Sequence, residues 1–191
     1  AAPLRKAPPP PKLRPSEREV SAAREEEAAL RRQLRMELRQ TCMKLGSDRR
    51  FREWARPLDP RSEVGAAYVA RLRERGVSEP MELASLLHRV NSQRVASVRA
   101  FEAHLDMIVA CAEAFYGGDG ADVQQEEALR QRGRAHMLRD EGLDLLEEID
   151  PGLLDRLAAL AARRAEAAKA ATEAATVFIE VSPACTRGYN H

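Results

Sequence analysis

Leucines at positions 30, 34, 38 and 45 form a stripe at helical spacing. Ser16-Glu17-Arg18-Glu19 lies upstream as a capping box, with Ser at the N-cap and Glu three residues on. Gly46 ends the pattern as a C-cap glycine. This predicts a first helix over residues 16–45, about 45 Å long at 1.5 Å per residue. Residues 47–79 then lose any clear helical period. They hold Pro57, Pro60, Gly65 and Gly76, but also Phe51, Trp54, Leu58, Val64, Tyr68, Val69 and Leu72. A solvated linker would not carry so much apolar surface, so this long connection is expected to pack back on the domain, with room for a short helix at 66–75.

Periodicity resumes at Pro80, which reads as the first position of a second helix, MELASLLHRVN. Ser97 caps a third helix running to Tyr116. Along it Val98, Phe101, Leu105, Ile108, Ala112 and Phe115 keep a buried stripe. Gly117-Gly118-Asp119-Gly120 reads as a loop. A fourth helix is predicted over 123–149, with Ala135, Leu138, Gly142, Leu145 and Ile149 on one face. Asp150-Pro151 starts an appended helix to residue 176, whose stripe of Leu153, Leu157 and Leu160 fades after Ala162. Residues 177–191 show no helical pattern and read as an extended or disordered tail. The fold class expected is therefore all-α: a four-helix bundle over 16–149, with a long loop between helices 1 and 2 and an extra C-terminal helix.

Composition sharpens this picture. The 191 residues are 32% charged and only 4% aromatic, a mixture that favours helices over strands. The net charge of +1 gives no field that argues for nucleic acid or a membrane surface. Cys42, Cys111 and Cys185 lie far apart and match neither a zinc spacing nor a disulfide framework, so a reducing intracellular compartment is the simpler expectation. No apolar run approaches the ~20 residues of a membrane span, and the basic start has no apolar signal core. Residues 1–15 are Pro-rich and basic, the composition of a linker inside a longer protein. No P-loop, zinc-protease or nucleophile motif occurs, so neither catalysis nor a cofactor is expected.

Candidate chemistry centres on AEAFYGGDG at 112–120. Phe115 and Tyr116 are two of only eight aromatic residues in the chain, and they stand side by side at a helix end. Phe115 continues the core stripe, and a residue so placed is more often simple core. Tyr116 lies one step off it and needs a partner for its hydroxyl if buried.

Several segments in order resemble one family. RRFREWARPLDP at 49–60, Tyr68, Pro80-Met81-Glu82-Leu83, FEAHLDMIVACAEAFY at 101–116 and RAHMLRD at 134–140 together resemble a bromodomain, the acetyl-lysine-reading helical bundle. The likeness covers about residues 8–160 and is narrowest to the bromodomain of chromatin-associated AAA+ ATPases. The resemblance implies a left-handed four-helix bundle, a nuclear setting and an acetylated histone peptide as partner. Other parts of an oligomeric ATPase are an alternative partner. It assigns Arg52, Glu53 and Trp54 to the family's hydrophobic shelf, where only Trp54 is apolar. Leu58 falls on the pocket wall, Tyr68 on the loop tyrosine that holds a pocket water, and Gln131 near the gatekeeper. With the register set on Asp106, Phe115 matches the tyrosine of the family's Tyr-Asn pair and Tyr116 stands where the ligand-binding asparagine belongs. Shifted by one residue, Gly117 would take that place; in either register the asparagine is absent. Two readings follow: a reader with an atypical pocket, in which Tyr116 donates to the acetyl carbonyl, or an interaction bundle whose pocket Tyr116 plugs. The second predicts an exposed apolar stripe, most plausibly on the appended helix.

Overall fold

A computed structural model describes residues 15–117 and 125–180. The described residues form six α-helices and one 3-10 helix, with no strand among them. They are α1 (Pro15–Ser47), a 3-10 turn (Arg49–Trp54), α2 (Glu63–Glu74), α3 (Leu83–Asn91), α4 (Val98–Tyr116), α5 (Gln125–Glu147) and α6 (Pro151–Glu180). The chain divides into two compact units. One holds the described residues up to Leu30 and from Gly152 onward; the other is Arg31–Pro151.

In Arg31–Pro151 the leucine stripe of α1 is buried as expected at Leu34, Leu38 and Leu45, joined by Cys42. α3 contributes Leu83, Leu86 and Val90, and α4 contributes Phe101, Leu105, Ile108, Cys111 and Ala112. α5 packs along α4. Gly142 of α5 permits a close approach, because a Cβ there would lie 2.6 Å from Leu105 Cδ1 and 3.4 Å from Leu45 Cδ1. Across α4 and α5, Glu113 pairs with Arg132 and His136, and Asp106 with Arg139. As α4 is read backwards α5 is read forwards, so the two helices are antiparallel. Among the described residues, no helix is long and apolar enough to cross a membrane.

Several boundaries differ from the sequence pattern. α1 starts at Pro15 and runs through Gly46 to Ser47, so Ser16 and Gly46 lie inside the helix. The segment 47–79 is mostly structured: the 3-10 turn and α2 occupy it. The 3-10 turn is capped by Asp48, whose carboxylate accepts from Arg50 N at 2.8 Å. Its three-residue repeat places Phe51 and Trp54 on one buried face. α2 is capped by Ser62, whose hydroxyl accepts from Gly65 N at 3.0 Å. A Cβ at Gly65 would meet Asp59 O at 1.9 Å, so this tight entry requires glycine. Pro80 does not open a helix: α3 begins at Leu83 with Glu82 as N-cap, because Met81 and Glu82 turn inward before the helix starts. Ser97 does cap α4, accepting from Ala100 N at 3.1 Å. On α5 the predicted face is buried at Ala135, Leu138 and Gly142, but Leu146 rather than Leu145 is the buried leucine of the last turn.

In the other unit, α6 extends through Glu180, four residues beyond the predicted end. Leu153 is buried and Leu157 and Leu160 are half-buried, after which positions 161–169 are exposed, so the stripe fades where the pattern indicated. Arg156 and Arg164 bridge to Glu26 and Glu27 at 2.9 and 3.4 Å. Such exposed pairs contribute little. The predicted loop from Gly118 and the tail from residue 181, with Cys185, lie outside the described residues.

Candidate binding site

Three elements of Arg31–Pro151 bring four aromatic rings into one chain of contacts. Trp54 of the 3-10 turn meets Tyr116 edge to face at 6.2 Å. Tyr116 meets Phe115 at 4.8 Å, and Phe115 meets Tyr68 of α2 at 5.0 Å. Each contact has the edge-on geometry that aligns a ring's positive rim with its neighbour's negative face. The long connection after α1 therefore reaches the C-terminal end of α4. Trp54 and Tyr68 are 4% and 3% exposed. Phe115 and Tyr116 are half-buried.

Local sequence explains each placement. Trp54 follows Phe51 by three residues in a 3-10 turn, so both face inward. Tyr68 shares a face with Leu72 four residues on, and α2 packs on α4. Arg71, next on that side, lies 5.5 Å from the Phe115 ring centroid and donates to Phe115 O at 3.4 Å, satisfying a carbonyl of the last turn. Gly117 closes α4 by donating to Glu113 O at 2.9 Å. A Cβ at Gly117 would lie 2.4 Å from that same oxygen, so the exit requires glycine for space rather than for a left-handed backbone.

Buried polar groups of this unit are unevenly matched. Gln131 of α5 is 6% exposed; its Nε2 donates to Glu127 Oε1 at 2.7 Å, while its Oε1 is sealed from solvent without a partner. Trp54 Nε1 and the Tyr68 hydroxyl are in the same condition. The Tyr68 hydroxyl faces the Cys111 thiol, but sulfur is a weak partner and no hydrogen bond of good geometry forms. Burial, with Cys111 and Glu82 nearby, pushes the Tyr68 phenol well up. Burial, then the charges of Glu53 and Glu127, raise that of Tyr116. Both hydroxyls therefore keep their protons at neutral pH and can donate.

The other assigned residues of this segment are more exposed than the rings. Leu58 is 42% exposed. Arg52 and Glu53 are exposed on the 3-10 turn, although the Glu53 charge reaches Tyr116. Asp106, which set the register, is held by Arg139 at 2.6 Å. Four residues were not assigned to the site from sequence: Arg71, Cys111, Glu127 and Glu82. Cys111 and Glu127 each stand one helical turn before an assigned residue, and that spacing was a usable signal. Glu82 is only 5% exposed, and burial raises its carboxyl above the usual range, against a hydrogen bond from Ser85 at 2.9 Å. No group of His, Cys, Asp and Glu suited to a metal occurs among the described residues.

No protein-family profile matches the chain. It is 32% identical over 148 residues to an ATPase family AAA domain-containing protein of Arabidopsis thaliana, covering 76% of this chain and 11% of that one. It is 32% identical over 151 residues to ATPase family AAA domain-containing protein 2 of Mus musculus, covering 74% and 14%. The protein of that name in Homo sapiens is 31% identical over 152 residues, covering 75% and 10%. Most of this helical chain is thus similar to a stretch of ATPase family AAA domain-containing proteins, and it spans about a tenth to a seventh of their length.

Proposed function

We propose that Arg31–Pro151 is an acetyl-lysine-reading module, a bromodomain with an atypical pocket, that docks an acetylated histone tail for a nuclear, chromatin-associated ATPase. The observation that carries this reading is the run of four edge-on aromatic rings at one end of α4, bordered by buried polar atoms with no partner. Acetyl-lysine ends in a neutral amide and a methyl, which suit an apolar slot holding a few hydrogen-bonding groups. Unmodified lysine is rejected because its ammonium would lose its water without gaining a partner. Glu53 and Glu127, whose charges reach Tyr116, favour a basic peptide around the acetylated residue. In this reading the module itself catalyses nothing and needs no cofactor.

A second reading has one observation in its favour: the unpartnered atoms are sealed from solvent, as they would be if Tyr116 plugged the slot of a purely structural bundle. Its companion expectation, an apolar stripe on α6, finds no support among the described side chains, since the large exposed apolar residues lie on other elements. Titrating a panel of acetylated and unmodified histone peptides separates the two. Binding of acetylated peptides alone supports the reader; no binding to any peptide supports the plugged bundle.

A further inference from the structure

A cleft of about 90 Å³ opens within Arg31–Pro151, where α1 passes the connection between α3 and α4. Leu34, Leu38 and Val95 give it buried apolar walls. Arg31, Arg35 and Gln93 supply its polar groups, and no acidic side chain among the described residues lines it. The two arginines stand one turn apart on α1, so like charges lie side by side. The Arg35 side chain has no hydrogen bond or ion pair with the described residues. Gln93 holds a left-handed backbone, φ 62°, where glycine would be easier, so a side chain is kept at the cleft against a backbone cost. Ala96, also in the lining, precedes α4, whose 19 residues put the ring cluster about 28 Å away at the far end of that helix.

We propose that this cleft docks an acidic peptide segment of a partner protein, with a carboxylate side chain at Arg35 and Arg31 and a neighbouring aliphatic side chain against Leu34, Leu38 and Val95. Charge complementarity selects the carboxylate: the cleft offers two guanidinium groups and a glutamine amide, and no competing anion. Size selects a polypeptide. Sites for free small molecules enclose roughly 300–1,000 Å³, so this cleft suits one side-chain-sized group on a larger partner. A nucleic-acid backbone would bring phosphates but nothing aliphatic for the three buried apolar residues. The proposal stands apart from the acetyl-lysine reading, because none of its residues belongs to the ring cluster.

Titration followed by heteronuclear NMR tests it. The peptide Leu-Glu-Leu, acetylated and amidated so that the glutamate is its one charge, is expected to shift the Gln93 side-chain and Ala96 backbone amide resonances. Leu-Gln-Leu with the same ends should bind about tenfold more weakly, the lower end of what a hydrogen bond to a charged group contributes. Arg35→Gln should abolish the difference between the two peptides. Unmoved Gln93 and Ala96 resonances overturn the proposal, as does equal affinity of the unaltered protein for both peptides; neither result depends on the variant folding. Inorganic phosphate moving the same resonances with the affinity of Leu-Glu-Leu also overturns it, since the cleft would then hold any anion. Trp54 is the chain's one tryptophan, and its single indole resonance should stay still. An indole that moves while Gln93 and Ala96 do not places the peptide at the ring cluster and overturns the proposal.

Discussion

Trp54 and Tyr116 stand edge to face, with ring centroids 6.2 Å apart and planes at 81°. That contact fastens the segment after α1 to the end of α4. Trp54 is buried, so truncation removes core as well as a wall of the proposed site. Trp54→Ala should cost about 3–5 kcal/mol of stability and weaken acetyl-peptide binding. Thermal unfolding and peptide titration check both parts. Unchanged melting with unchanged affinity would show that the edge-on contact holds nothing in place.

Tyr116 separates the two readings of the site more directly. If its hydroxyl donates to the acetyl carbonyl, Tyr116→Phe keeps the shape and removes one hydrogen bond, lowering affinity two- to tenfold. Tyr116→Asn should then preserve or improve binding. If the ring is a plug, the unaltered protein binds barely or not at all, and Tyr116→Asn creates binding. Calorimetric titration of the three proteins against one acetylated peptide decides. Equal affinity for all three would place Tyr116 outside the ligand's reach.

Much of this arrangement was legible because the signals were local. Ser97 caps α4 with its own side chain, and the stripe from Phe101 to Ala112 is buried at every expected turn. Two of the eight aromatics stand side by side at one helix end, and there the rings do meet. Pro80 misled because proline suits a first helical turn, whereas here burial of Met81 and Glu82 sets the start of α3 at Leu83. The 3-10 turn escaped notice because six residues with a three-residue repeat do not stand out from a loop. Leu58 is apolar yet exposed, and nothing next to it in sequence signals that. The Tyr68, Cys111 and Glu82 neighbourhood joins three helical elements, so only the fold creates it.

Two helices end in the same hydrogen-bond pattern with different residues at the left-handed position. After α2, Val77 N bonds Leu72 O at 2.8 Å and Gly76 N bonds Arg73 O at 3.0 Å, with Gly76 at φ 78°. After α3, Arg94 N bonds Arg89 O at 2.9 Å and Gln93 N bonds Val90 O at 3.1 Å, with Gln93 at φ 62°. These are Schellman caps, which favour glycine at that position. A glutamine side chain there carries a left-handed penalty of about 1 kcal/mol, partly offset by the freedom glycine gains on unfolding. Gln93→Gly is therefore expected to raise stability by about 0.5–1 kcal/mol, and Gly76→Ala to lower it by about 1 kcal/mol. Denaturant midpoints measure both. A loss on Gln93→Gly would mean that the glutamine side chain contributes more than its backbone costs.

Two glutamates should respond to acid with opposite signs. Arg132 and then His136 hold the Glu113 carboxyl below its usual value near 4.5. A depressed pKa means that the unfolded chain binds the proton first. The stability Glu113 provides is thus complete above pH 4.5 and is lost as pH falls through its folded value. Burial does the reverse to Glu82, raising its carboxyl from the same starting value. Here the folded protein holds the proton more tightly, so a penalty is absent below pH 4.5 and grows as pH rises through the folded value. Glu113→Gln should therefore melt lower than the unaltered protein at pH 7, with the gap closing in acid. Glu82→Gln keeps an oxygen acceptor for the Ser85 hydroxyl and removes the buried charge, so it should melt higher at pH 7, and that gap should also close in acid. Melting curves of the three proteins from pH 3 to pH 7 test both signs at once. If Glu82→Gln melts lower at pH 7, the ionised carboxylate is held by more than Ser85, and burial does not set the balance at this residue.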